Sequence, residues 1–358
     1  MSAADAPLPA DPAPGAAPVE RRAPRPRATL RDVAALAGVS VPTASKAMNN
    51  RVHVNAATRS RVLAAAEQLG FAPNVLARGL LDGRTGTVGL LTSDLVGRFS
   101  LPILMGAEDA FGAGRTSVFL CDARGDTIRE RHHLAALMAR QVDGLIVVGS
   151  RTDPRPSLGR DLPVPVVYVY AESDDPDHDL SLVPDNIGAG ALAVEHLLAM
   201  GRRRIAHIGG DPSYLATTDR ARGIAGALAA AGLEPAAEPM YGDWSEPWGV
   251  TAARALLAQG REIDAILCGS DQVARGVLDG LRESGRAVPD EIAVMGFDNW
   301  EVMIAGSRPR LTSVDMNLEA LGRMAAERLF AAIDGSLAAG VERLPCRVVP
   351  GQTTSPAA

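Results

Sequence analysis

From Thr87 onward the chain repeats one pattern: a short run of Val, Ile and Leu, then polar or glycine residues, then an Ala/Leu-rich stretch. The runs are TVGLLT, SVFLC, GLIVVG, PVVYVY, RIAHIG, AILCG and IAVMGF. They are mostly apolar and do not alternate, which predicts strands buried on both faces, and such strands are joined by helical crossovers into parallel sheets. The expected fold is α/β. A segment of about 270 residues is too long for one doubly wound sheet and right for two lobes. Ligands of such sheets lie at the carboxyl ends of the strands.

Two different segments precede this pattern. Residues 1–28 are dominated by Ala and Pro and bury too little apolar surface to offset ordering entropy, so a disordered tail is expected. At Thr29 a capping box with Asp32 opens a helix that carries Leu30, Val33, Ala34 and Ala37 at helical spacing and stops at Gly38. Ser40 caps a second helix, with Pro42 tolerated in its first turn, and Asn55 caps a third with an expected apolar stripe of Val62, Leu63, Ala66 and Leu69. Three short helices with a glycine turn between the first two make a helix-turn-helix over residues 29–73.

Charge separates the same two parts. Between Ala28 and Thr85 seven basic residues face three acidic ones, although the whole chain carries −6. A basic module ahead of a large acidic one suits an anionic partner at one end only. Within it sits Lys46, the only lysine of the chain. An ammonium and a guanidinium fork are not interchangeable, so a single Lys in an otherwise all-Arg sequence asks for a reason of its own.

Other classes find little support. GAGALA at residues 188–193 nearly fits G-x-G-x-x-A, yet it follows VPDN and lies within a helical stretch, whereas a dinucleotide loop follows a strand. His132 and His133 belong to no H-E-x-x-H pattern and no Ser-His-Asp elbow occurs, so neither an enzyme nor a cofactor is expected. Cys121, Cys268 and Cys346 form no C-x-x-C pair, which predicts reduced thiols and no metal site. With no apolar run of about 18 residues and no secretory signal, a cytoplasmic protein without a membrane span is expected, and a secreted solute-binding protein is not.

The stretch TLRDVAALAGVSVPTASKAMNNRVHVNAATRSRVLAAAEQLGFAPNVLARGLLDGRTGTVGLL resembles the DNA-binding head and hinge of lactose/galactose-repressor (LacI/GalR) family transcription factors. VPDNIGAGALAVEHLLAMGRRRIAHIGG, RARGIAGALAAAGL, GSDQVARGVLDGLRESGRAVPDEIAVMGFDN and RLTSVDMNLEALGRMAAERL are similar to its effector domain, itself like periplasmic sugar-binding proteins. The resemblance implies a ligand-responsive repressor that binds a palindromic operator in double-stranded DNA as a homodimer and answers to a sugar or sugar derivative. It places Val41, Pro42 and Lys46 at base edges in the major groove. Thr43, Ser45 and Asn49 touch phosphates or fix the register, with Thr29 and Ser40 also among the DNA-binding positions. Residues 74–85 become hinge helix and linker, with Asn74, Ala77, Arg78 and Leu80 on DNA and Leu80 as an apolar wedge in the minor groove. Residues 86–350 become the effector domain, with lobes of about 86–183 plus 314–335 and 184–313 plus 336–350, and residues 351–358 a tail. For the effector the resemblance implies Arg220, Trp244 and Asp298, and strand-end position adds Asp94, Phe99, Tyr170 and Ser270. Arg220 and Asp298 are read alike, as ligand groups whose loss would leave operator binding intact. Tyr170 and Met316 replace polar residues of relatives, so fewer protein groups remain to pair with hydroxyls.

Overall fold

The computed structural model describes residues 28–48, 54–71, 84–93, 98–112 and 116–355. It divides into two units, Met1–Val75 and Leu76–Ala358. The first contains α1 (Leu30–Ala37), α2 (Val41–Met48) and α3 (Ala56–Gln68). Thr29 and Asp32 cap α1 reciprocally, the Thr29 N–H donating to Asp32 Oδ2 at 2.8 Å and the Asp32 N–H to Thr29 Oγ1 at 3.3 Å. Gly38, at φ +64°, ends that helix in a left-handed turn. Ser40 Oγ accepts from the Thr43 N–H at 3.4 Å, and Asn55 Oδ1 accepts from the Thr58 N–H at 2.7 Å. The core is made of small residues, Val33, Ala34, Ala37, Ala44, Ala47, Val62, Ala65 and Ala66, which let three short helices approach closely. On α3 the expected stripe shifts: Leu63 and Leu69 are 47% and 36% exposed, and Ala65 faces inward. A thin alanine core has no room for two further leucines.

The second unit holds two sheets. One has the order β10-β5-β4-β3-β1-β2, built from β1 (Thr87–Thr92), β2 (Ser117–Asp122), β3 (Gly144–Val148), β4 (Val166–Val169), β5 (Leu180–Pro184) and β10 (Gly340–Leu344). The other runs β11-β9-β8-β7-β6, from β6 (Ile205–Ile208), β7 (Ala265–Cys268), β8 (Ala293–Phe297), β9 (Thr312–Asp315) and β11 (Arg347–Val349). Every pairing is parallel except β11 with β9. The crossovers are α4 (Ser100–Phe111), α5 (Thr127–Ala139), α6 (Asn186–Ala199), α7 (Leu215–Ala230), α8 (Glu246–Ala258), α9 (Asp271–Glu283), α10 (Glu301–Gly306) and α11 (Leu318–Ile333).

All seven apolar runs are strands, but β2 is not buried. It is an edge strand, and Phe119 and Leu120 are 43% and 38% exposed. The chain passes between lobes at 184–186, 315–318 and 344–347. Ser313 lies inside β9, so the second passage comes later than expected. The third falls well beyond Gly335, because β10 is hydrogen-bonded to β5 of the first lobe. Residues 351–355 are not a tail: Thr353 and Thr354 are buried, and the Val294 N–H donates to the Thr353 carbonyl at 2.9 Å.

Three helix pairs, α4 with α11, α6 with α7 and α8 with α9, cross through glycines on both members. A Cβ at Gly106 would overlap the Glu319 backbone, and one at Gly322 the Ile103 backbone. Backbone cannot rotate away as a side chain can. Gly106→Ala is therefore expected to destabilise this unit by ~1–3 kcal/mol, lowering the thermal midpoint, whereas Gly226→Ala, with open space around it, should not.

Candidate functional site

On α2 the apolar and polar faces are cleanly divided. Ala44 and Ala47 are buried against the head core, while Val41, Pro42 and Lys46 are exposed and Thr43 and Ser45 are half-buried at the border. Ser40 Oγ and Thr43 Oγ1 lie 2.8 Å apart. The predicted reading positions thus face outward, Val41 and Pro42 in the first turn and Lys46 in the last, free of core duties. Asn49, Asn74, Ala77, Arg78 and Leu80 lie outside the described residues, as does Asp94.

In the second unit the carboxyl ends of strands from both sheets converge on a cavity of about 280 Å³. It is lined by Phe99, Tyr170, Arg220, Trp244 and Asp298 among the predicted residues. Asp298 follows β8, is buried, and sits at φ +102° with Asn299 at +52°. Such backbone is costly for a side-chain-bearing residue and persists only when neighbours impose it. Asp271 is one of these neighbours. Its buried carboxylate accepts from the Ser313 hydroxyl at 2.6 Å and from the Trp300 N–H at 2.7 Å, gripping the turn just after Asp298. Burial first, then the charge of Asp298, pushes the Asp271 carboxyl well above the usual range.

Two arginines hold Asp298. Arg98 Nη2 stands 3.0 Å from Oδ2, and Arg220 Nη2 stands 3.6 Å from Oδ1. The Arg98 contact is a charge contact without hydrogen-bond alignment, so Oδ2 is buried and lacks a hydrogen-bond donor. Arg98 also donates to Gln272 Oε1 at 3.0 Å and lies over Phe99 and Trp300. Arg220 is saturated within the protein: Nε donates to Asn186 Oδ1 at 2.9 Å, Nη1 to the Gly269 carbonyl at 2.6 Å and Nη2 to Met316 Sδ at 3.2 Å.

Aromatic rings supply flat walls. Phe99 and Tyr170 stack at 4.4 Å between centroids, and Tyr170, buried at φ +73°, has its hydroxyl pushed up by desolvation. Trp244 meets Tyr214 edge-on at 5.6 Å, with its Nε1 buried and unpaired. Ser270 does not line the cavity. It is fully buried and caps α9, accepting from the Val273 N–H at 3.3 Å. Sequence reasoning missed Arg98, Arg151, Thr152, Tyr214, Gln272 and Trp300, all cavity residues. Thr152 and Arg151 follow the β3 run, and Trp300 follows GFDN, so strand-end position would have found them; Tyr214 had no such signal.

Beside this site His207, buried on β6, has its pKa lowered to about 4 by desolvation and then by the Arg220 charge. The unfolded chain takes a proton near pH 6.5, which the folded chain refuses until about pH 4. Stability from this group is therefore lost as pH falls from 6.5 toward 4, by up to ~3 kcal/mol. Denaturant titrations at pH 7 and pH 5 are expected to show a smaller loss for His207→Gln than for the wild type.

Comparison with known proteins agrees with both units. Residues 29–74 match the model for bacterial regulatory proteins, lacI family, and residues 194–354 that for a periplasmic binding protein-like domain. The chain is 37% identical over 320 residues to the HTH-type transcriptional regulator CelR of Thermobifida fusca, covering 87% of this chain and 93% of that one. The chain belongs to the lacI family. Another family member, the ribose operon repressor of Escherichia coli K12, is 34% identical over 307 residues, 85% of this chain and 92% of that one. Among solved structures, a lac repressor dimer bound to operator and the anti-inducer ONPF superposes with TM-score 0.72 at 28% identity, over 92% of this chain and 99% of that one. A CelR–cellobiose complex superposes with TM-score 0.60 at 32% identity, over 91% and 100%. As a lacI-family member the chain is a DNA-binding transcriptional regulator. Among the described residues no helix is long and apolar enough to cross a membrane.

Proposed function

We propose that this lacI-family regulator is a homodimeric repressor whose cleft binds a sugar or sugar derivative that changes its affinity for a palindromic operator. The observation that carries the ligand reading is the buried Asp298 Oδ2, which has charge partners but no hydrogen-bond donor and stands beside stacked aromatic rings. A sugar hydroxyl supplies that donor, and the rings accept the C–H face of a pyranose. A CelR solved as a cellobiose complex and a relative named for a ribose operon support the same class.

On DNA, Val41, Pro42 and Lys46 meet base edges, and Thr29, Ser40, Thr43, Ser45 and Asn49 touch phosphates or set register. Asn74, Ala77, Arg78 and Leu80 enter the minor groove. Pro42 carries no side-chain hydrogen-bonding group, so Lys46 supplies the charged base contact. Lys46→Ala is expected to reduce preference for operator over scrambled DNA by ~1–3 kcal/mol while weak, salt-sensitive association persists. Gel-shift competition measures this. A variant that discriminates as well as wild type removes Lys46 from the reading set.

For the effector, a thermal-shift panel of neutral sugars, nucleosides and phosphorylated sugars, followed by calorimetry on any stabilising compound, tests the class. Stabilisation only by nucleosides would replace sugars as the effector.

A further inference from the structure

The cleft is uneven in its hydrogen-bonding character. At Asp298 the unpaired polar atom is an acceptor. Where β3 ends and α7 begins, the unpaired atoms on cavity-lining residues are Trp244 Nε1, which can only donate, and Thr152 Oγ1, both buried; Asp153 Oδ2 is also buried and unpaired, on a residue that does not line the cavity. Beside them Arg151 lays its guanidinium over the Tyr214 ring at 4.1 Å, and Tyr214 in turn touches Trp244. Arg151 makes no hydrogen bond or ion pair with another described residue.

The charges are uneven too. Arg98, Arg151 and Arg220 line the cavity against one carboxylate, Asp298. Arg98 and Arg220 are committed to Asp298, Gln272, Asn186 and Gly269. Two carboxylates stand close by without lining the cavity: Asp153 accepts from the Leu215 N–H at 3.3 Å on one oxygen, and Asp211, which accepts from the Ser213 N–H at 2.8 Å, is near enough to feel the Arg151 charge. Asp211 answers the Arg151 charge only through space and forms no ion pair with it, so a neutral sugar would leave the guanidinium without a charged hydrogen-bond acceptor. A carboxylate or phosphoryl group brings several acceptor oxygens to a fork of N–H donors and gains the stronger, charge-assisted bonds.

Building on the reading that a polyhydroxylated effector fills the cleft, we propose that this effector carries one anionic group, seated against Arg151, Trp244 Nε1 and Thr152, while its hydroxyls pair with Asp298. The effector class is thus a sugar acid or a sugar phosphate.

Calorimetry on the full chain with matched sets decides this: glucose, glucuronate and glucose 6-phosphate; ribose and ribose 5-phosphate; cellobiose and cellobionate. In at least one set a charged member is expected to bind tenfold or more tighter than its neutral counterpart. That ratio should fall to near one in Arg151→Gln and recover in part in Arg151→Lys. A wild-type melting curve for Arg151→Gln shows that the fold is kept. Which charged member wins separates carboxylate from phosphoryl. Equal or tighter binding of the neutral members, or a charged preference that survives Arg151→Gln, overturns the proposal. If nucleosides bind and no sugar of either kind does, the polyhydroxylated class itself fails, a different result from neutral sugars binding well.

Discussion

Arg220→Ala is expected to destabilise the second unit by about 3–5 kcal/mol, with the loss visible as an earlier denaturant midpoint before any ligand is added. The guanidinium is 3% exposed and joins four parts of the chain: Asn186 at the start of α6, Gly269 after β7, Met316 between lobes and Asp298. Removing it leaves the Gly269 carbonyl and Asn186 Oδ1 without a donor and strips Asp298 of one of its two cations. The sequence reading treated Arg220 as a ligand group equivalent to Asp298. Arg220 lines the cavity and every one of its nitrogens also has a protein partner, so it holds the cleft together in addition to any contact with ligand. Arg220→Lys should recover little, since one ammonium cannot reach acceptors arranged around a planar fork. A wild-type midpoint for Arg220→Ala would show that these bonds contribute nothing net.

Asp298→Asn is expected to keep the fold and lose the ligand. Asn has the same shape and tolerates positive φ, so the turn gripped by Asp271 persists. What disappears is a charged acceptor, worth ~1.5–3 kcal/mol to a hydroxyl donor, or roughly 10- to 150-fold in affinity. The amide also leaves Arg98 and Arg220 facing each other with less compensation, so a modest fall in stability accompanies the change. Operator affinity without ligand should stay within a few-fold of wild type. Calorimetry with the compound selected by screening, paired with a melting curve, distinguishes lost binding from lost fold; undiminished binding would remove Asp298 from the site.

The head was readable because its determinants are local. Thr29 with Asp32, Ser40 with Thr43 and Asn55 with Thr58 each settle a helix start within three residues. Six of the seven strands read from apolar runs were readable for a similar reason, since burial on both faces writes an unbroken apolar run, while β2 carries such a run at an exposed sheet edge. β5, β9, β10 and β11 were not: LSLVP carries a Pro, TSVD is mostly polar, and GVERL and RVV alternate or stop short at sheet edges. Their pairing is fixed by partners more than a hundred residues away in the case of β10 on β5. The cleft was half readable. Phe99, Tyr170, Arg220, Trp244 and Asp298 line the cavity, while Ser270 stands at a strand end but spends its hydroxyl on a helix cap. Arg98 and Tyr214 are single loop or helix-edge residues without periodicity, and only the two lobes facing each other bring them to one cavity.

The most direct measurement of the account is an anisotropy titration of the full chain on a labelled operator, selected from a random pool, with and without the screened compound. The account predicts binding at least about a thousandfold tighter than to scrambled DNA at physiological salt. It also predicts a shift of tenfold or more on adding the compound, abolished in Asp298→Asn, because only a ligand that prefers one lobe arrangement can move DNA affinity. Equal affinity for operator and scrambled DNA, or an operator affinity that ignores a compound shown to occupy the cleft, would contradict it.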